Sequence, residues 1–245
     1  MARKSVLAKI NFKYLGIALF LIAGSIAIGY YISSSVIIRD VAVHGSQMSD
    51  KDEIIDFLNN RVIGIHADSL NLNEIKNDVE SRSYVKQSRI FISPTGRMTI
   101  EITEREPLAL IMQGDSITMV DFEGVKMPIP NGNVPDLPLL FGFNALPLSD
   151  TLSTDAFKVT AEFLNTLKQH PLAFITISEV GWHKENGVVA LSREQDITLI
   201  FGFENFQNRL EYWSGFYRDV APRKGLASYR SLDFRYKGQI IAKNS

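Results

Sequence analysis

From Tyr14 to Ile32 the chain reads YLGIALFLIAGSIAIGYYI, nineteen residues without a charge or a proline. As a helix at 1.5 Å per residue this spans about 28 Å, close to the hydrocarbon thickness of a bilayer. Tyr14 opens the stretch and Tyr30 and Tyr31 close it, where amphipathic rings favour the interface. The pattern predicts one membrane helix over 14–32. A cleaved signal peptide is the competing reading, because Ser33-Ser34-Ser35 supplies small residues for a peptidase. The apolar core exceeds the roughly 7–15 residues of a signal peptide, which favours an uncleaved anchor.

The pattern then changes period. Ile38, Val41 and Val43 partly alternate and stop at Gly45, a short strand. Ser49 is the expected N-cap of a helix, with Asp52 three residues on. Ile54, Ile55 and Leu58 form the apolar stripe of that helix, and Leu72, Ile75 and Val79 the stripe of a second. Two strands follow, 84–92 and 97–103, joined by Ser93-Pro94-Thr95-Gly96. Met98, Ile100 and Ile102 face one way, and Thr99, Glu101 and Thr103 the other. The order β-α-α-β-β predicts a small sheet with both helices on one face.

Beyond residue 106, Met119-Val120 leads into a D-x-x-G turn at Asp121–Gly124. Pro128, Pro130, Pro135 and Pro138 make the following stretch poor helix and poor central strand, so an extended edge segment is expected. Phe157, Ala161, Leu164 and Leu167 predict a helix over 155–169. Strands are expected at 174–181, 187–192 and 196–202, with Asn186-Gly187 as a hairpin turn. Phe206, Leu210, Trp213 and Tyr217 mark a further helix, whose aromatic stripe reads as core packing. Leu232, Phe234 and Tyr236 alternate with Asp233, Arg235 and Lys237 in a last strand over 229–236. With the chain ending soon after Ala242, that strand is expected to be a sheet edge.

Charge adds a topology. Residues 1–13 carry Arg3, Lys4, Lys9 and Lys13 and no acid, which places the N-terminus in the cytosol by the positive-inside rule. Without those four, 22 Lys and Arg stand against 27 Asp and Glu, so the remainder is at −5. A mildly acidic ectodomain has no basic surface for phosphates, which argues against nucleic acid. The absence of cysteine removes disulfides and thiolate metal sites.

Catalytic chemistry finds little support. Ser83-Tyr84-Val85-Lys86 spells the S-x-x-K of acyl-enzymes, but S-x-N and K-T-G companions are missing and the motif falls at a helix-to-strand junction. His44, His66, His170 and His183 are scattered, without the i, i+4 pairing of a zinc site. Glu101 sits on a solvent face and Glu104 and Glu106 at the end of the same strand, poor placement for paired glycosidic carboxylates. No metal, no cofactor and no catalytic residue are expected.

Several of these segments resemble one family in order and spacing. Val41-Ala42-Val43-His44-Gly45 is similar to the V-x-V-x-G opening, and Met98–Pro107 to the L-x-I-x-V-x-E-R-x-P ending, of the POTRA domain in the bacterial division proteins FtsQ and DivIB. Tyr84-Val85 stands where that family often has Trp-Val. Met119–Gly124, Asp136–Gly142, Ile200–Gly202 with Arg209-Leu210, and Asp233-Phe234-Arg235-Tyr236 resemble further family elements, the last its D-L-R-Y signature. The resemblance implies an α+β protein with a cytosolic tail (1–13), a transmembrane helix (14–32), a POTRA-like domain (36–106) and a larger β-rich domain with helices on one face (107–245). It implies a non-enzymatic, single-pass scaffold in the cytoplasmic membrane at the division septum, with its bulk extracytoplasmic. The implied partners are FtsL-like and FtsB/DivIC-like bitopic proteins and, through them, the septal peptidoglycan synthase complex. Read alone, Asp233 and Arg235 are a solvated face. The resemblance implies instead partner docking by β-augmentation through Asp233, Arg235, Tyr236, Lys237, Gly238, Gln239, Ile240 and Ile241. Two rivals remain at this point: a membrane-anchored wall enzyme, and the POTRA module of an outer-membrane assembly or secretion protein. The latter needs a β-barrel that 139 residues containing two helices do not supply.

Overall fold

In the computed structural model the described residues are 12–34, 36–130 and 133–245, so most of the basic tail lies outside them. They form two compact units divided between Glu104 and Arg105.

The first unit opens with α1 (Phe12–Ser34), a helix of 23 residues. Leu15, Ile17, Leu19, Phe20, Leu21, Ile22, Ile26 and Ile28 are all exposed along it. Among the described residues, no helix is long and apolar enough to cross a membrane.

Next come β1 (Asp40–His44), α2 (Lys51–Val62), a single 3-10 turn (Ala67–Ser69), α3 (Leu72–Glu80), β2 (Val85–Ile92) and β3 (Arg97–Glu104). The sheet order is β1-β3-β2. β1 runs parallel to β3, a pairing that needs the crossover α2 and α3 provide. Met98, Ile100 and Ile102 do share the buried face of β3, packed with Val41, Val43, Ile54, Leu58, Val62, Ile75 and Val79. Leu72, expected in the α3 stripe, is 38% exposed because it occupies the first turn, ahead of the buried Ile75. The α2 cap also differs from expectation. Asp50, not Ser49, is the N-cap, and its carboxylate accepts from the N–H groups of Asp52 and Glu53. Ser49 is held outside the helix because its own N–H donates to Glu104 Oε1 at 2.7 Å. Gly45, at φ +88°, has no room for a side chain: a Cβ there would lie 2.1 Å from the Ile102 carbonyl oxygen.

The second unit is one sheet with helices on one face. Its strands are β4 (Pro107–Gln113), β5 (Ser116–Asp121), β6 (Lys126–Pro128), β7 (Leu139–Phe141), β8 (Ile177–His183), β9 (Gly187–Ser192), β10 (Thr198–Gly202), β11 (Tyr229–Asp233) and β12 (Ile241–Asn244). The helices are α4 (Asp155–Leu167), α5 (Pro171–Thr176), α6 (Phe206–Asp219) and α7 (Ala221–Lys224). The strand order is β12-β11-β10-β9-β8-β7-β4-β5-β6. Leu140, Val180, Ala190, Leu199 and Leu232 are successive partners across five strands and pack with Phe157, Phe163, Leu164, Leu210 and Trp213 of α4 and α6. Phe234 closes this core, stacked on Phe201 at 5.2 Å between ring centres and edge-on to Trp213 at 6.2 Å.

Three expectations change here. Residues 174–176 are helical, since Pro171 at the first turn starts α5 and Thr176 Oγ1 donates to Leu172 O at 2.7 Å. The proline-rich stretch yields an edge strand only as β6, while β7 enters the sheet interior between β4 and β8. In α6 the buried positions are Phe206, Leu210, Trp213 and Phe216, with Tyr217 half-buried.

Candidate partner-docking edge

The C-terminal edge is built from β10, β11 and β12. β11 pairs parallel with β10 through Leu199↔Leu232 and antiparallel with β12 through Leu232↔Ala242. Residues 231–233 are therefore paired on both sides, which corrects the expectation of an edge strand over 229–236. The edge is β12, all four of whose residues are exposed. Ser245 fastens its end, donating through N to Ser228 O (3.2 Å) and through Oγ to Ala227 O (2.9 Å).

The strand stops at Asp233 for a local reason. The Asp233 carboxylate accepts from Arg235 N (3.1 Å), Nε (2.9 Å) and Nη2 (2.6 Å), so the chain curls around it. Phe234 N still donates to Ile200 O at 2.9 Å, but Tyr236, expected to face inward, is 48% exposed. Gly238, at φ +75°, helps reverse the chain toward β12.

Of the eight residues picked from sequence, Arg235, Tyr236 and Lys237 come together along a cleft of about 300 Å³. Asp233 holds Arg235, whose Nη1 also donates to Asn186 Oδ1 at 3.2 Å. Ile240 lies elsewhere, in a groove with Phe216, Val220 and Tyr229 on the helix side of β12. Ile241 begins β12 opposite Asp233, and Gln239 N donates to Tyr236 O at 3.4 Å within the turn.

The opposite wall of the cleft was not among the residues picked from sequence. Asn205, Asn208, Arg209 and Tyr212 of the α6 region supply it. Arg209 Nη1 donates to Phe201 O. The signal was present, since Arg209-Leu210 belongs to a motif already noted, but a helical stripe of apolar residues gives its polar members no address. Burial pulls the Arg209 guanidinium below its ordinary pKa, against Glu204 and Asp233, which raise it, and with Arg235, which lowers it. Hydrogen bonding to Asp233 raises that of Arg235. Both remain cations at neutral pH; with Lys237 they line one cleft, while the Asp233 carboxylate is already engaged by Arg235. The cleft suits an acidic or backbone-carbonyl group beside an exposed strand edge.

Among the described residues, no cluster of three His, Asp or Glu side chains is arranged to hold a metal ion.

A family profile described as "FtsQ/DivIB, C-terminal related" matches residues 106–243. The chain belongs to the FtsQ/DivIB family of bacterial cell division proteins. Among relatives, it is 25% identical over 177 residues to the cell division protein FtsQ of Rhodothermus marinus, covering 69% of this chain and 64% of that one. FtsQ of Koribacter versatilis is 23% identical over the same length, covering 69% of this chain and 50% of that one. FtsQ of Rickettsia bellii is 22% identical over 202 residues, covering 82% and 70%. The matched segment thus spans between half and two thirds of the first two relatives. Among solved structures, the major extracytoplasmic domain of DivIB from Geobacillus stearothermophilus aligns with 48% of this chain and 98% of its own, at 16% identity and a TM-score of 0.34.

Proposed function

We propose that this chain is a non-enzymatic, bitopic scaffold of the division machinery that captures a partner by strand addition at β12. The partner is an FtsB/DivIC-like protein, held together with an FtsL-like one. Through them the scaffold connects to septal peptidoglycan synthesis. The observation carrying this reading is the four-residue edge of β12, exposed along its length, whose first residue Ile241 pairs with Asp233, the residue that holds Arg235 in the cationic cleft with Arg209 and Lys237. A sheet edge presents unpaired N–H and C=O groups that an extended segment can satisfy, and pockets beside it read alternate side chains. The first unit offers a contrasting edge in β2. There Glu80 Oε1 accepts from Ser88 N at 2.6 Å, blocking the middle of the strand with a side chain.

In this reading α1 is the anchor, with the basic tail cytosolic and the chain from residue 36 onward outside; residues 36–106 form a POTRA-like domain and 107–245 the β domain. The uncharged run 14–32 and the exposed apolar side chains of α1 support it. Binding of the partner's extracytoplasmic segment to the ectodomain, measured by calorimetry, tests the docking. Arg235→Glu and Tyr236→Ala each weaken it by about 1–2 kcal/mol, as expected for cationic and aromatic interface residues. Unchanged affinity in folded variants places the interface elsewhere.

A further inference from the structure

The helices cover one face of the nine-stranded sheet; the opposite face carries its own apolar band. Leu139, Glu179, Leu191 and Thr198 are successive partners across β7, β8, β9 and β10 on that side. Two residues along, Phe141, Gly181, Val189 and Ile200 form a second row. Leu139, Phe141, Val189, Leu191 and Ile200 are only half-buried, and none belongs to the core beneath the helices. Gly181 keeps the band flat: a Cβ there would come within 2.3 Å of the Phe141 ring. A sheet face open to water ordinarily carries polar residues, so five apolar side chains among these eight positions mark a contact surface.

Its size and charge define what fits. Four strands span about 14 Å and the two rows lie about 7 Å apart. That is the footprint of one α-helix of about ten residues, 15 Å long and about 10 Å wide. Glu179 sits half-buried between Leu139 and Leu191, and no side chain among the described residues bonds its carboxylate. Two cations close in sequence to the band's strands are themselves paired: Arg193, two residues past Leu191, with Asp136 at 3.4 Å, and Arg235 with Asp233, the partner of Ile200, at 2.6 Å. A charge in apolar surroundings is costly until an opposite charge joins it, so the occupant brings its own cation.

We infer that this face seats an amphipathic helix of a partner protein, its apolar side on Leu139, Val189, Leu191 and Ile200 and a Lys or Arg on Glu179. This surface is separate from β12: strands extend edges, whereas helices cover faces. A second copy is a poor occupant, because a two-fold contact centred here brings two Glu179 carboxylates together.

The test uses the full chain in the membranes of the cells that make it, with a photoreactive phenylalanine analogue replacing Val189. The expected product is a crosslink to a segment with apolar residues at helical spacing and a Lys or Arg among them. Glu179→Lys then lowers its yield by about tenfold, since like charges meeting in an interface are strongly unfavourable. Replacing that basic residue of the partner by Glu restores it. A crosslink to a second copy, to lipid or to a segment without a basic residue overturns the inference. So does a crosslink indifferent to Glu179→Lys, or none at all from a folded chain.

Discussion

Glu104 organises more of the first unit than its place at a strand end suggests. Its carboxylate accepts from Gln47 N (3.0 Å), Met48 N (2.9 Å) and Ser49 N (2.7 Å), fixing the loop that leads into α2. Burial by itself raises its pKa; the hydrogen bonds from Met48, Ser49 and Gln47 outweigh that and hold it below the ordinary 4.5. A carboxyl depressed on folding stabilises the fold above its unfolded pKa, and that contribution is lost as pH falls through the folded value. The stability of the first unit, measured by chemical denaturation, should therefore fall below about pH 4.5 in the parent. Glu104→Gln should cost about 1–2 kcal/mol at neutral pH and flatten this acid dependence. A variant as stable as the parent at neutral pH means that water serves the loop equally well. Phe234 is the matching case in the second unit: 1% exposed and packed on Phe201 and Trp213, it should cost about 3–5 kcal/mol when replaced by Ala. Thermal unfolding measures it, and a loss under 1 kcal/mol would show that the site collapses around the smaller residue.

Elements with a strict period were legible. The alternation of Met98, Ile100 and Ile102 gives β3 its buried face, and Phe157 to Leu167 gives α4, capped by Thr154 Oγ1 on Phe157 N at 3.2 Å. The D-x-x-G turn was legible too, because Asp121 Oδ1 accepts from Glu123 N and Val125 N, and Gly124 sits at φ +82°. Elements fixed by distant contacts were not. The buried run Leu108–Ile111 has no period to betray β4, although Gly114 at φ +59° turns it into β5. Phe174-Ile175-Thr176 carries strand propensity, yet Trp213 Nε1 donates to Thr176 Oγ1 at 2.9 Å and holds the segment in α5. In the candidate site, the Asp233-Phe234-Arg235-Tyr236 motif pointed to Arg235 and Tyr236, and the structure places both along one cleft with Lys237. The edge itself was not: whether β11 or β12 lies outermost depends on where the last residues of the chain fold back. At this scale Gly45→Ala is diagnostic, because the backbone, not a side chain, occupies the space. It should lower the melting temperature of the first unit and leave that of the second unchanged; no shift at all would mean the turn relaxes freely.

At the scale of the molecule, a small parallel-crossover unit precedes a larger sheet whose helices cover one face, and the family match of residues 106–243 lies in the second unit. This division predicts that residues 36–104 and 105–245, expressed separately, each melt cooperatively. A non-cooperative fragment would make the two units interdependent. Along β12, the proposed site of strand capture, successive N–H groups alternate between β11 and the free edge. Ala242→Pro and Lys243→Pro each remove one such donor, and only one of the two is directed outward. Calorimetric titration of the extracytoplasmic segment of the proposed FtsB/DivIC-like partner into the parent ectodomain and both variants, with circular dichroism reporting the fold, tests strand capture. The proline at the outward N–H is expected to leave the ectodomain folded and to weaken binding at least about tenfold, through the lost hydrogen bond and the blocked edge. Parental affinity in both variants, with both folded, would contradict strand capture.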